Sequence, residues 1–427
     1  MLHECNGKPF SFAKALEMPP PSGAIATTFL IGGWLRSAFG AKHRLNPLDP
    51  CLTLEKLAMK KSLIALAALA ATGAFAQSSV QIDGVMDAGY QAIDYKGNKV
   101  NGFNGNGSAT SQVNFRGTSD LGGGLKADFR VETDWNTVSN KGNTGSVTTP
   151  VTAGNESVAA ASSFGNGEIR TGLAGGFGKV QFGAINNNTL IANLTGQPFG
   201  TAIGSGHGST LRSNYSGAAV RADNSFQYIS PNFSGFDVAY LQSNKQTKQV
   251  AGSTNKSTSF STALGAYDMN GTKEMSVSYA NGPLAARFTN LVEDATQVGE
   301  ATGTQYKTNT LGVNYALGDA KVFLWNQSIK ADDNTQNSAG TTVSATYTMG
   351  ATVLMAQAGS VKNKLTNKTS NITALGADYM LSKTTALYGR YESIKDSGSL
   401  ITSLSGFTAA TDNVTRTRLG LGIRTAF

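Results

Sequence analysis

From Gln77 to the C-terminus, apolar and polar residues alternate along much of the chain with a period of two. The clearest case is Leu125–Glu132, where Leu, Ala, Phe and Val take one set of alternate positions and Lys, Asp, Arg and Glu take the other. Successive side chains of a β-strand point to opposite faces of a sheet, so such a segment has one apolar face and one charged face. The pattern predicts an all-β protein.

Sixteen segments of this kind can be placed along the chain. They are residues 79–92, 111–119, 125–133, 167–174, 179–185, 219–229, 236–242, 273–280, 284–292, 309–316, 321–328, 342–348, 351–359, 371–380, 384–392 and 414–427. Links after even-numbered segments are short, such as Asn281–Pro283, and links after odd-numbered segments are long and polar, such as Asp134–Asn166. Outer-membrane barrels sort their connections in this way, and a soluble sandwich has no reason to. We therefore predict a 16-stranded antiparallel transmembrane β-barrel over residues 77–427.

Aromatic residues recur near the ends of the apolar faces. They are Tyr90, Phe115, Phe129, Tyr228, Tyr240, Tyr279, Tyr315, Tyr347, Tyr379 and Tyr391. Any one of them fits ordinary strand packing. Together they are typical of the aromatic girdles at a membrane–water interface, where an apolar ring and a polar tip are both satisfied.

The segment Asn186–Arg212 contains no acidic residue and no Lys, and it lies between two predicted strands. A wide barrel would otherwise enclose an open water channel. We expect this segment to fold into the barrel interior, where it would narrow the channel and decide what passes.

The charged face of each strand must be the lumen, because Arg or Lys at mid-depth on a lipid face costs roughly 2–4 kcal/mol. We predict a pore constriction formed by Arg130, Arg170, Arg221, Arg116, Lys179, Arg212, His207, Asp87 and Glu132. Arg130, Arg170 and Arg221 come from strands next to the inward segment, which favours a modest preference for anions. The alternative for each charged residue is an ion pair in the wall that has no role in selectivity.

Composition argues against a soluble enzyme of this size. The chain has 50 Gly and 10 Pro, with 40% hydrophobic and 15% charged residues. A low-complexity, disordered chain would lack the regularly spaced Tyr, Phe, Val and Leu seen here. His207 is the only His after position 43, and no acidic residue lies near it in sequence, so a Ser–His–acid triad is not indicated. No cofactor or metal site is predicted.

The N-terminal region resembles a secretory signal preceded by an extra segment. Met59-Lys-Lys begins a basic stretch, Ser62–Ala71 is apolar, and Ala74-Phe-Ala76 fits a cleavage motif. We therefore interpret 59–76 as a signal peptide, cleaved before Gln77, and 1–58 as an extension upstream of the true start at Met59. Both cysteines, Cys5 and Cys51, precede the cleavage point, so the mature chain would have no disulfide.

The net charge of +8 overstates how basic the mature chain is. Residues 1–76 hold eight of the 35 Lys and Arg and four of the 27 Asp and Glu, which leaves 27 basic and 23 acidic residues, a net of +4. This balance gives no argument for nucleic acid as a partner.

Four stretches resemble the trimeric general porins of Gram-negative bacteria, especially the neisserial and betaproteobacterial branch. They are Phe115–Ala127, Gly172–Gly183, Arg221–Phe236 and Tyr379–Tyr391. The resemblance implies a homotrimer in the outer membrane, in contact with outer-membrane lipid and lipopolysaccharide, whose third extracellular loop folds inward. It also implies that Phe427 is the C-terminal signal read by the barrel-insertion machinery.

The function implied by this resemblance is a water-filled channel for passive diffusion of ions and small hydrophilic solutes. The alternatives are a substrate-specific channel for a sugar or small organic anion and, more remotely, an outer-membrane enzyme. The sequence departs from the family at Gln112, Asn114 and Ala184, where members often carry basic residues, and its tail ends Arg424-Thr-Ala-Phe. The family's basic cluster therefore cannot be carried over whole.

Overall fold

The computed structural model describes residues 79–95, 98–138, 164–206, 221–243, 271–294, 305–397 and 414–427. The proposed signal peptide and upstream extension, and the candidate pore residues His207 and Arg212, lie outside these ranges.

The described residues form 17 strand segments and one helix. In chain order these are β1 (Ser79–Tyr95), β2 (Asn98–Asn104), β3 (Gln112–Gly122), β4 (Leu125–Asp134), β5 (Ile169–Gly175), β6 (Gly178–Asn186), α1 (Asn188–Thr195), β7 (Arg221–Ile229), β8 (Phe236–Ser243), β9 (Gly271–Asn281), β10 (Leu284–Asp294), β11 (Gln305–Leu317), β12 (Ala320–Ala331), β13 (Asn337–Met349), β14 (Thr352–Asn363), β15 (Lys368–Met380), β16 (Thr385–Asp396) and β17 (Val414–Ala426). Within these residues no helix is long and apolar enough to cross a membrane.

The strands close into a single antiparallel barrel. From β3 to β17 each strand pairs with the next, and β17 pairs with β1 along Val85–Tyr95. The other edge of β1 is shared, because Ser79–Val85 pairs with β3 and Gly89–Tyr95 pairs with β2. The ring therefore has 16 positions, and the predicted 16-stranded barrel is confirmed.

The strand β2 is a correction to the sequence prediction, which left residues 93–110 as one link. Within this link, Asn98–Asn104 instead forms a strand that pairs with Gly89–Tyr95 of β1, and the pairing ends at Asn104. Asn98–Asn104 contains only two large apolar residues, Val100 and Phe103, among Asn, Lys and Gly. This pattern is too weak to indicate a strand from the sequence alone. Pairing with β1 supplies the missing stabilisation.

Two of the predicted long links are also short in the structure. Only residues 332–336 connect β12 to β13, and only residues 364–367 connect β14 to β15, because all four strands extend beyond their predicted ends. Polar alternating residues such as Asn337–Thr341 read as loop in the sequence but continue the ladder. One end of the barrel nevertheless carries only short turns, of two to six residues, while the link from β4 to β5 at the other end has 34.

The outer surface of the barrel is apolar. Val277, Val343, Leu375 and Leu421 are among many large hydrophobic side chains that are exposed there. Tyr228, Tyr279, Tyr315, Tyr347 and Tyr379 each lie among the last three residues of a strand that leads into a short turn. They form a ring at that end of the barrel, as expected where an apolar surface meets water.

Candidate functional site

The charged face of the barrel encloses an inward segment, residues 187–206. This segment forms hydrogen bonds with side chains of β9, β10, β11, β12, β14 and β16. Strands so far apart around a closed ring can share one short segment only across the interior. The polar face is therefore the lumen, and the candidate site is built from it.

The inward segment begins with α1, whose first turn is held by a carboxylate from the barrel wall. The first N–H groups of a helix have no partner within the helix. Asn187 caps α1 by accepting from Leu190 N at 2.9 Å. The fully buried Glu274 of β9 accepts from Thr189 N at 2.6 Å and Thr189 Oγ1 at 2.7 Å, and also from Asn188 N. Its negative charge also suits the positive end of the helix dipole.

The body of α1 lies against β10 and β11 and reaches β12. Trp325 Nε1 donates to Asn193 Oδ1 at 2.7 Å, and Asn314 Nδ2 donates to Thr195 O at 2.9 Å. The Trp325 ring packs inside the barrel with Ile329 and Val361. All three side chains are buried, and Trp325 also contacts the helix through Asn193.

A second wall carboxylate holds the end of the inward segment. Glu392 of β16 is fully buried and accepts from Gly204 N at 3.0 Å and Gly206 N at 3.1 Å. The same carboxylate pairs with Arg416 and Arg418 of β17, each at 2.7 Å. The segment carries no acidic residue, and the wall supplies the carboxylates that anchor it at both ends.

A shorter inward segment, residues 105–111, lies between β2 and β3. Asp87 of β1 is fully buried beneath it and accepts from Ser108 N at 2.7 Å, from Ala109 N at 2.8 Å and from the Tyr388 hydroxyl at 2.6 Å. Ile203 N donates to Gly107 O at 3.3 Å, so the two inward segments touch. Asp87 was predicted to line the constriction, but the structure places it as a buried anchor.

The opposite wall presents a row of three arginines. Arg116 of β3 lies directly opposite Arg130 of β4 in the strand register, and Arg130 lies directly opposite Arg170 of β5. All three project from the inward face. Like charges directly opposite each other on adjacent strands destabilise a sheet. The row therefore needs counter-charges close by.

Carboxylates on either side of the row supply that charge. Glu168 lies 2.8 Å from Arg130 and 3.4 Å from Arg170, and Glu132 forms a further close pair with Arg130. Asp128 pairs with Arg170, and its Oδ2 also lies 2.9 Å from Lys179 Nζ. Asn114, at a position where the family often has a basic residue, accepts from Arg130 Nη2 at 2.9 Å.

Two further cations complete this wall. Arg116 Nε lies 3.0 Å from Asp83 Oδ2. Arg221 is in register with Asn186, beyond the level of the arginine row, and its guanidinium reaches Glu132 at 3.2 Å and Asp134 at 3.5 Å. The wall thus holds five cations, Arg116, Arg130, Arg170, Lys179 and Arg221, against five carboxylates, Asp83, Asp128, Glu132, Asp134 and Glu168.

The structure therefore brings six of the nine predicted constriction residues into one cluster: Arg116, Arg130, Arg170, Lys179, Arg221 and Glu132. Asp87 lies in a separate buried network, and His207 and Arg212 fall outside the described residues. Sequence reasoning missed the two anchors, Glu274 and Glu392. In the sequence each anchor is only an acidic residue on the polar face of a strand. The carboxylates of the arginine wall have the same pattern, so the sequence does not distinguish the two groups.

Comparison with known proteins agrees with this geometry. Residues 62–399 match the model of the Gram-negative porin family. The chain is 32% identical over 391 residues to outer membrane porin protein 32 of Delftia acidovorans, covering 86% of this chain and 100% of that protein. It is 27% identical over 348 residues to the major outer membrane protein P.IB of Neisseria gonorrhoeae, covering 77% and 91%.

Among solved structures, an anion-selective porin from Comamonas acidovorans superposes with a TM-score of 0.64 at 25% identity, covering 82% of this chain and 100% of that one. The family match spans well over half of the chain, and the relatives named here are porins rather than enzymes. The chain belongs to the Gram-negative porin family and is a β-barrel channel protein of the outer membrane.

Proposed function

We propose that this porin is a weakly anion-selective diffusion channel for ions and small hydrophilic solutes. Its narrowest part would lie between the inward segment and the five-cation wall of Arg116, Arg130, Arg170, Lys179 and Arg221. His207 and Arg212, which lie outside the described residues, are proposed as members of the constriction from the sequence alone.

The observation that carries this proposal is the unequal exposure of the paired charges. The wall is neutral in sum, but the side chain of Arg116 is 46% exposed against 20% for Asp83, and Arg221 is 23% exposed against 5% for Glu132. Arg130 and Lys179 are likewise more exposed than their carboxylates, while Arg170 and Asp128 are equal at 18%. A solute in the lumen thus meets guanidinium and ammonium groups first, and the pairs present their positive ends to the water.

Two further features support the proposal. The inward segment has no carboxylate in residues 187–206 to oppose the wall. A protein similar to this one is described as an anion-selective porin. Rings of like charge at a constriction set the ion preference of a channel.

A sugar-specific channel is less well supported. Such a channel would present exposed aromatic rings along the path of the solute. Phe199, the only aromatic residue of residues 187–206, is buried and packs against Met355 and Ala374. The inward segment therefore offers no aromatic surface within its described part.

The selectivity is expected to appear as a reversal potential of anion-preferring sign across a planar bilayer in a potassium chloride gradient. It should weaken as salt rises, because the Debye length falls from about 10 Å at 0.1 M to about 3 Å at 1 M. A cation-preferring sign at low salt would reject the proposal. Equal permeation of charged and neutral solutes of one size in liposome swelling would also count against it.

We also propose that the protein is a homotrimer whose interface includes the outer faces of β1 and β17. Val80, Ile82, Leu421 and Ile423 are exposed apolar residues on these neighbouring strands. The expected result is a trimer mass by light scattering in mild detergent that dissociates on heating. Substituting Ile82 and Leu421 with Asn should favour monomers, whereas the same change at Val238 and Val277, on β8 and β9 on the far side of the ring, should not. A wild-type monomer would contradict the proposal.

A further inference from the structure

Five lysines lie on the outer surface of the barrel, at the end opposite the tyrosine ring. They are Lys273 of β9, Lys307 of β11, Lys330 of β12, Lys362 of β14 and Lys395 of β16, and all are exposed. Each has a buried, inward-facing neighbour in its strand, such as Glu274 beside Lys273 and Thr308 beside Lys307. Since neighbours in a strand face opposite sides, the lysines face away from the lumen.

Three of the lysines lie at one level. The cross-strand register runs from Lys273 to Val292, from Val292 to Lys307, and from Lys307 to Lys330. Lys307 and Lys330 are thus directly opposite each other on adjacent strands. Like charges in this position destabilise a sheet, and an anion between them would remove the repulsion.

No carboxylate of the protein fills that role within the described residues. None of the five lysines forms a salt bridge there. The nearby β12–β13 turn carries Asp332 and Asp333, whose Oδ1 atoms accept a backbone N–H from Gln305 and Thr335 respectively, and within the described residues neither forms a salt bridge with a lysine of the row. The row therefore presents positive charge that no carboxylate contacts in a salt bridge within the part of the chain that the structure describes.

The height of the row corresponds to a lipid headgroup layer. Lys307 and Tyr315 are eight residues apart on β11. At about 3.3 Å per residue and a tilt of about 45°, this separation is roughly 19 Å across the membrane. The apolar band of such barrels is about 25 Å tall. The tyrosines mark one margin of the band, and the lysines lie near the other, on the side with the long links.

The lysines are confined to one side of the ring. At the same end of β1, β3, β4, β5 and β17, the outward positions are Ala92, Val113, Val131, Ile169 and Thr417, none of them basic. Lys99 on β2 is the exception there, and it lies 4.0 Å from Asp94. The side without the row is the one proposed above for subunit contacts, so the row faces lipid.

We propose that Lys273, Lys307 and Lys330, flanked by Lys362 and Lys395, bind the phosphate groups of lipopolysaccharide in the leaflet on the long-link side. Lysine binds phosphate as a point charge with three rotatable donors, and its apolar stem can lie along the barrel surface. Basic side chains at a membrane surface attract anionic headgroups. This site lies outside the channel and is independent of ion selectivity.

The test compares the purified wild-type protein with the variant K273Q/K307Q/K330Q for retention of lipopolysaccharide by native mass spectrometry in detergent. We expect at least a tenfold loss of binding in the variant. The control K321Q/K383Q changes two lysines at the short-turn end and should bind like wild type. A further variant, Lys330→Glu, should weaken binding more than Lys330→Gln. Heat-dependent mobility on gels checks that each variant is folded.

The source of the phosphate is tested in three arms. Enzymatically dephosphorylated lipopolysaccharide should bind the wild type as weakly as intact lipopolysaccharide binds the triple variant. Phosphatidylglycerol and inorganic phosphate should not compete at matched phosphate concentration. Unchanged binding in the triple variant, an equal loss in the control, or full competition by phosphatidylglycerol would each overturn the proposal.

Discussion

Replacing Arg116, Arg130 and Arg170 together with Gln is expected to reverse the sign of selectivity, from anion-preferring to cation-preferring. The three arginines form one row, and Asp83, Glu132, Glu168 and Asp128 surround it. Removing the three arginine charges leaves these carboxylates facing the lumen, with Lys179 and Arg221 as the remaining cations of the wall. Reversal potentials in a low-salt potassium chloride gradient measure the change directly.

Two matched variants make this result specific. Substituting the same three positions with Lys keeps the charge, so the anion preference should remain although the bidentate geometry of Arg is lost. Substituting Asp128, Glu132 and Glu168 with Asn or Gln removes the opposing charge and should strengthen the anion preference. If the Gln variant folds and keeps the wild-type sign, the row does not control selectivity and the constriction lies elsewhere.

Replacing Glu392 with Gln is expected to loosen the inward segment and destabilise the barrel. The change removes the negative charge that Arg416 and Arg418 share and weakens the hydrogen bonds that Gly204 N and Gly206 N donate to this side chain. Breaking a buried ion pair by removing one partner costs about 3–5 kcal/mol. Single-channel currents should become noisier because residues 187–206 fluctuate, and the temperature of heat-induced unfolding in detergent should fall.

Glu293→Gln is a suitable control for that experiment. Glu293 is a buried glutamate on β10, and within the described residues it has no hydrogen bond to the inward segment. Its substitution should leave current noise unchanged. If the current noise of Glu392→Gln is as low as that of Glu293→Gln, Glu274 and the contacts of α1 are sufficient to hold the segment. A triple substitution of Glu392, Arg416 and Arg418 with Gln would then separate the effect of removing the Glu392 charge beside the two arginines from the loss of anchoring.

The anchors of the inward segment, Glu274 and Glu392, could not be predicted from the sequence because they are distant in the chain from the residues they bind. Glu392 is 188 residues from Gly204 in the chain, and Glu274 is 85 residues from Thr189. Both glutamates occupy ordinary alternating positions, and so do Glu132 and Asp128 on the opposite wall. Closure of the ring decides which carboxylates lie beneath a loop and which lie beside arginines. That choice depends on which strands face each other across the lumen.

The exposed chemistry of the pore depends on tertiary structure for the same reason. The alternation at Lys126–Glu132 predicts correctly that Arg130 and Glu132 share the inward face. It does not show that most of the carboxylates are less exposed than their cations, or that Arg116, Arg130 and Arg170 share one level. The alignment of the three arginines follows from the registers of β3 with β4 and of β4 with β5, the first of which includes a shift between Asp120 and Gly122.

The sequence by itself determined the all-β barrel, the number of ring positions, the alternate strand positions that face the lumen and, for residues 187–206, a segment that enters the lumen. These follow from a local property, because neighbouring side chains in a strand must face opposite sides and a lipid-facing charge is costly. Only the tertiary structure decided that Asp87 is buried, that β2 pairs with β1, that two predicted loops are short, and that Glu274 and Glu392 hold the inward segment. Each of these depends on contacts between residues that are distant in the chain, and no local period encodes such contacts.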